Sequence, residues 1–135
     1  MARGFPLSRL APPELQAILL DHDWSIVRLH ALELPVAMIA VAEMRWQLDL
    51  RWWRFEDRFF AVTPNEVRAD PVRYEKQWQR TLAADLAYPI YIREYVPGRW
   101  SIVDGVHRLL KAEVLGLPTL RAKRVPDAAL AAISE

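Results

Sequence analysis

Ser101-Ile102-Val103-Asp104-Gly105-Val106-His107-Arg108-Leu109-Leu110-Lys111-Ala112 decides the fold. The β-branched start reads as a strand, Gly105 permits a tight turn, and Leu109, Leu110 and Ala112 continue as a buried helix face. Asp104 stands where an N-cap falls, and His107 and Arg108 lie beside the free backbone N–H groups of the first helical turn. Those N–H groups and the positive end of the helix dipole favour a bound phosphate, to which Arg108 adds a charged fork of donors and His107 a tunable one. Lys111, one turn on, points to solvent or to a distal phosphate. A helix N-terminus disfavours imidazolium, so His107 is expected to be a neutral donor.

The helix stops at Gly116 with Pro118 behind it, and Leu120 to Val125 forms the next strand. Upstream, Tyr88 to Tyr95 and Arg99 to Val103 flank the turn dipeptide Pro97-Gly98 and predict an antiparallel hairpin. Leu34 to Val41 reads as a buried strand that tolerates Pro35 at its start. Pro12-Pro13-Glu14 opens a helix through Leu15, Ile18 and Leu19 that ends near Asp21-His22-Asp23-Trp24, and Ser25 caps a second helix, Ile26 to Leu32. Glu43 to Trp53 is patterned as a helix, followed by an extended run, Phe59 to Val62. Thr63-Pro64-Asn65-Glu66 has the spacing of a capping box. Asp70-Pro71 then opens a helix, Val72 to Ala84, with Trp78, Leu82 and Tyr74 on its buried side. Strands and helices in this order predict an α+β domain.

Composition narrows the function. About half of the 135 residues are apolar, enough for one core, and a net charge of +1 gives no general attraction to nucleic acid or anionic lipid. The absence of cysteine removes disulfides, thiol nucleophiles and cysteine-based zinc sites together. His22, between two aspartates, shows no ligand spacing with His30 or His107, so no metal site is expected. Met1 to Pro6 has no signal-peptide core and the longest apolar run, Leu34 to Ala42, is too short to span a bilayer, so the expected location is cytoplasmic with no membrane partner.

The segment Asp104 to Ala112, with Pro89-Ile90-Tyr91-Ile92 on an earlier strand and Gly116 closing the helix, resembles the ParB/sulfiredoxin superfamily. The resemblance implies a ParB/sulfiredoxin-like small mixed sheet with flanking helices: residues 1–33 an N-terminal helical extension, 34–125 the nucleotide-binding domain, and 126–135 a short C-terminal helix or tail. It implies a nucleotide (ATP, ADP or CTP) whose phosphates rest on Asp104, Gly105, Val106, His107 and Arg108, with Mg²⁺ accompanying it. Sulfiredoxin chemistry is excluded, because Val106 stands where that family needs a cysteine. Only ten residues follow Val125, which argues against a complete DNA-partition protein.

Within that resemblance the expected activities are an ATPase or a small-molecule kinase, and the alternative is a non-catalytic regulatory module that binds DNA or a protein partner. Candidate carboxylates are Glu43, Asp49, Asp85 and Asp104, each with a plain structural role: Asp49, for instance, pairs with Arg45 four residues earlier. Some members of that superfamily phosphorylate free serine and place an acid after the first strand; by analogy Glu43 is the catalytic candidate, beside His107. The run Arg45-Trp46-Gln47-Leu48-Asp49-Leu50-Arg51-Trp52-Trp53 interleaves arginine with tryptophan. It suits core packing with a flank that meets a base, a partner or a second copy of the chain.

Overall fold

The structure, a computed structural model, describes residues 3–4, 10–20 and 24–134. The readings made at residues 1–2, 5–9, 21–23 and 135, His22 among them, fall outside the described residues. The protein is a mixed α+β domain built on a four-stranded sheet of β3 (Val36–Ala40), β6 (Ile90–Val96), β7 (Arg99–Asp104) and β8 (Thr119–Arg124). Across the sheet the order is β3-β8-β6-β7. β6 and β8 run parallel, joined through β7 and helix α6 (Val106–Val114), and the other two pairings are antiparallel.

The β6–β7 hairpin forms as expected. Its turn places Pro97 second and Gly98 third, with Gly98 at φ 78°, the left-handed position of a type II turn. Gly116, at φ 70°, ends α6: its N–H donates to the Glu113 carbonyl and the Leu117 N–H to the Ala112 carbonyl, the paired bonds of a Schellman stop. The capping box at Thr63 is complete and starts α4 (Pro64–Ala69).

Alternation along the central strands divides the core in two. Ile90, Ile92 and Ile102 point to one face, against α6 and the chain from Val41 to Val67. Tyr91 and Val103 point to the other, against Trp24, Leu29, Val125 and Ile133. That second layer comes from β2 (Trp24–Ser25), α2 (Ile26–Ala31, capped by Ser25) and α7 (Asp127–Ile133). β2 pairs with β1 (Arg3–Gly4), so the N-terminal segment contributes two short strands as well as α1 (Pro13–Gln16) and α2. Among the described residues no helix is long and apolar enough to cross a membrane.

Four local expectations change. β3 is an edge strand with Val36 and Met38 exposed, because the second layer covers β6 and β7 and stops short of it. The segment Glu43 to Trp53 does not stay helical: α3 (Val41–Met44) passes into a turn of 3-10 helix (Arg45–Asp49), and Leu50 then extends the chain into β4 (Trp53–Phe55). β4 forms a hairpin with β5 (Arg58–Val62). The helix expected from Val72 begins later, as α5 (Glu75–Ala83): Asp70 accepts the Arg73 N–H as an N-cap would, but residues 71–74 remain a turn. On α5, Leu82 is exposed and Thr81 is the buried residue.

Gln47 is fully buried and seals the free edge of β7. Its Oε1 accepts the Ile102 N–H at 2.8 Å and its Nε2 donates to the Trp100 carbonyl at 3.3 Å, so one side chain supplies the bonds of an absent fifth strand.

Candidate functional site

The Asp104–Arg108 turn opens onto a cavity of about 490 Å³, within the size range of small-molecule sites. Three elements wall it: the turn with the start of α6, one side of α5, and the β4–β5 hairpin. Gly105 adopts φ 118°, and a Cβ on it would lie 2.6 Å from Ile90 Cγ2. The turn is thus pressed onto the central strand, which aims the first turn of α6 at the cavity. Gly105 is itself the N-cap, and no side chain caps α6. Asp104, expected in that role, is instead the last residue of β7, paired with Tyr91. Its Oδ2 lies 3.2 Å from His30 Nε2 and 4.0 Å from Arg108 Nη1. His30 rests on the Tyr91 ring at 5.3 Å.

Arg108 folds back over the turn. Its Nη1 donates to the Pro89 carbonyl at 2.9 Å, and the guanidinium lines the cavity. Val106 contributes its backbone while its side chain belongs to the core. Lys111 does not line the cavity: its Nζ donates to the Leu82 and Ala84 carbonyls and caps the end of α5.

His107 lies flat on Trp53, ring centroids 4.2 Å apart and planes 12° apart. Its Nε2 is 2.8 Å from Gln77 Oε1. Gln77 donates its own Nε2 to the Arg54 carbonyl, which leaves Oε1 to accept; His107 therefore carries its proton on Nε2. Burial, reinforced by the charges of Arg80 and then Arg108, pushes the imidazole pKa down to about 3. The ring is neutral, as expected, but for this reason more than for the helix dipole, and its N–H is spent on Gln77.

A depressed imidazole pKa makes stability fall with acid. Between the unfolded value of 6.5 and the folded value of about 3, the unfolded chain binds a proton that the folded chain refuses. The stability attached to His107 is fully present above pH 6.5 and drops by about 2 kcal/mol on going to pH 5. In urea denaturation at pH 7, 6 and 5, His107→Phe is expected to lose less stability over that interval than the wild type. Parallel pH profiles would refute the buried neutral imidazole.

Of the candidate carboxylates, the turn brings Asp104 and the loop after α5 brings Asp85 to the cavity; Glu43 and Asp49 do not line it. Glu43 is exposed on α3, and Asp49 accepts from Asn65 while Arg45 pairs with Glu113. The catalytic role expected of Glu43 therefore has no place at this cavity. Sequence reasoning missed Gln77, Arg80, Arg54 and Phe59. Gln77 and Arg80, three residues apart, share one face of α5, a readable signal that only the folded chain connects to the turn. Arg80 is exposed at the cavity and makes no hydrogen bond or ion pair with another described residue. Among the described residues no three metal-ligating side chains converge.

The fold and site together define a small α+β domain with a cationic, aromatic-walled cavity at a strand–turn–helix. No family model, curated protein or solved structure matches the chain.

Proposed function

We propose that the cavity binds a nucleotide through its phosphates, held by the uncapped first turn of α6, Arg108 and Arg80, and that the strand–turn–helix is that of the ParB/sulfiredoxin superfamily. The observation that carries this reading is the guanidinium of Arg80, which has no counter-ion among the described residues and shares a cavity with Arg108 and an uncapped helix N-terminus. Three arginines line the cavity against two aspartates, a net positive lining suited to an anion.

Mg²⁺ fits there only as a companion of the phosphates. Asp85 and Asp104 each have one oxygen hydrogen-bonded, to the Ala87 N–H and to His30, leaving the other for a metal-bound water or the metal. The same two carboxylates are the groups placed to orient an acceptor hydroxyl or water in an ATPase or small-molecule kinase. The alternative, a regulatory module whose tryptophan run stacks on DNA bases, is weakened because Trp52 and Trp53 are buried.

Calorimetric titration with ATP, ADP, CTP and GTP plus Mg²⁺ tests the reading. Arg80→Ala and Arg108→Ala are each expected to weaken binding by about 10- to 100-fold, the size of one charge-assisted hydrogen bond to phosphate. Affinity unchanged in both variants would remove the phosphate assignment.

A further inference from the structure

We propose that the β4–β5 hairpin is the base-binding wall of this cavity, with the ligand's planar ring stacked on Phe59; the inference rests on the nucleotide reading. The sequence offers tryptophans for this task, but the fold withdraws them. Trp52 is 4% and Trp53 6% exposed, and Trp53 already carries His107 on its face. Phe59 is the opposite case: it lines the cavity and is 50% exposed, a large apolar ring that the fold leaves uncovered.

The hairpin is shaped to present that ring. Trp53 pairs with Val62 and Phe55 with Arg58, so β5 has extra residues between its pairs and bulges. Within the bulge Phe60 takes φ 50°, a left-handed conformation that a bulky aromatic residue rarely adopts. Bulges of this kind re-aim side chains beside binding sites, and here both phenylalanines turn to the cavity. Arg54 pins Phe59 from one side, its guanidinium 5.1 Å from the ring centroid and its Nε bonded to the Glu56 carbonyl at 2.6 Å. The ring is thereby held in place at the cavity wall, and its exposed half is what a base would cover. A stacked ring also distinguishes a nucleotide from a phosphorylated sugar or peptide, which would need the guanidinium groups alone.

The test compares Mg²⁺-ATP with Mg²⁺-tripolyphosphate, which has the phosphates and no base, on the full chain by calorimetry. Wild type is expected to bind ATP at least tenfold tighter than tripolyphosphate. Phe59→Ala and Phe59→Leu should lower ATP affinity about tenfold and leave tripolyphosphate unchanged, while Phe59→Trp keeps ATP binding. Unaltered melting temperatures confirm that the exposed position does not disturb the fold. Equal wild-type affinities for the two ligands, or a Phe59→Ala variant that binds ATP normally, would overturn the base wall and leave the phosphate site standing. Failure of wild type to bind either ligand would overturn both.

Discussion

Gly105→Ala is expected to destabilise the protein by about 2 to 6 kcal/mol, lowering the melting temperature by about 7 to 20 °C. Two costs coincide at this residue. A φ of 118° lies outside the regions an L side chain occupies comfortably, which costs about 1 to 3 kcal/mol. The new Cβ would also sit 2.6 Å from Ile90 Cγ2 and 2.9 Å from Ile90 Cβ. Ile90 is fully buried on a central strand, so the clash cannot be relieved by turning a side chain into solvent. Overpacking of this kind costs about 1 to 3 kcal/mol more. Gly98 provides the internal control: its φ is 78° and nothing lies within 4 Å of the point where a Cβ would stand, so Gly98→Ala is expected to show the conformational cost alone. Equal melting temperatures for the two variants would contradict the close approach of turn and strand.

Gln47→Leu is the second large effect, expected at about 2 to 4 kcal/mol with little change in volume. The substitution leaves the Ile102 N–H and the Trp100 carbonyl without their partners at a sheet edge where Gln47 itself admits no water. The buried Ile102 N–H left unpaired costs about 1 to 3 kcal/mol, and the part-buried Trp100 carbonyl about 1 more. Because the loss is local to β7, hydrogen exchange should report it directly, with the Ile102 amide losing protection before those of β8. A Leu variant with wild-type stability and an equally protected Ile102 amide would show that the edge does not depend on this side chain.

Parts of this architecture are readable from the chain, and the reasons are local. Pro97-Gly98, the Thr63–Glu66 capping box and the Gly116 stop each specify a backbone geometry within four or five residues, and each appears where expected. Asp104 misleads because a carboxylate before a helix has two uses. Gly105, with its positive φ, takes over the cap and frees Asp104 for His30, a partner 74 residues away. The tryptophan run misleads for a related reason. Its spacing satisfies a helical stripe, yet adjacent Trp52 and Trp53 are both buried on an extended chain, where neighbours point to opposite sides. Gly105, Val106, His107 and Arg108 are legible as a strand-to-helix turn and line one end of the cavity, which exists only because a hairpin and α5 are brought against them.

The pairing of β3 has a consequence for biogenesis. Ile39 finds its neighbour, Leu120, about eighty residues later in the chain, and among the described residues β3 has no other strand beside it. At a synthesis rate of about 5 to 20 residues per second, this uncharged segment leaves the ribosome roughly 4 to 16 s before its mate does. Throughout that wait the nascent polypeptide displays a sticky ribbon, and holdase chaperones that shield extended apolar chain would meet their substrate there.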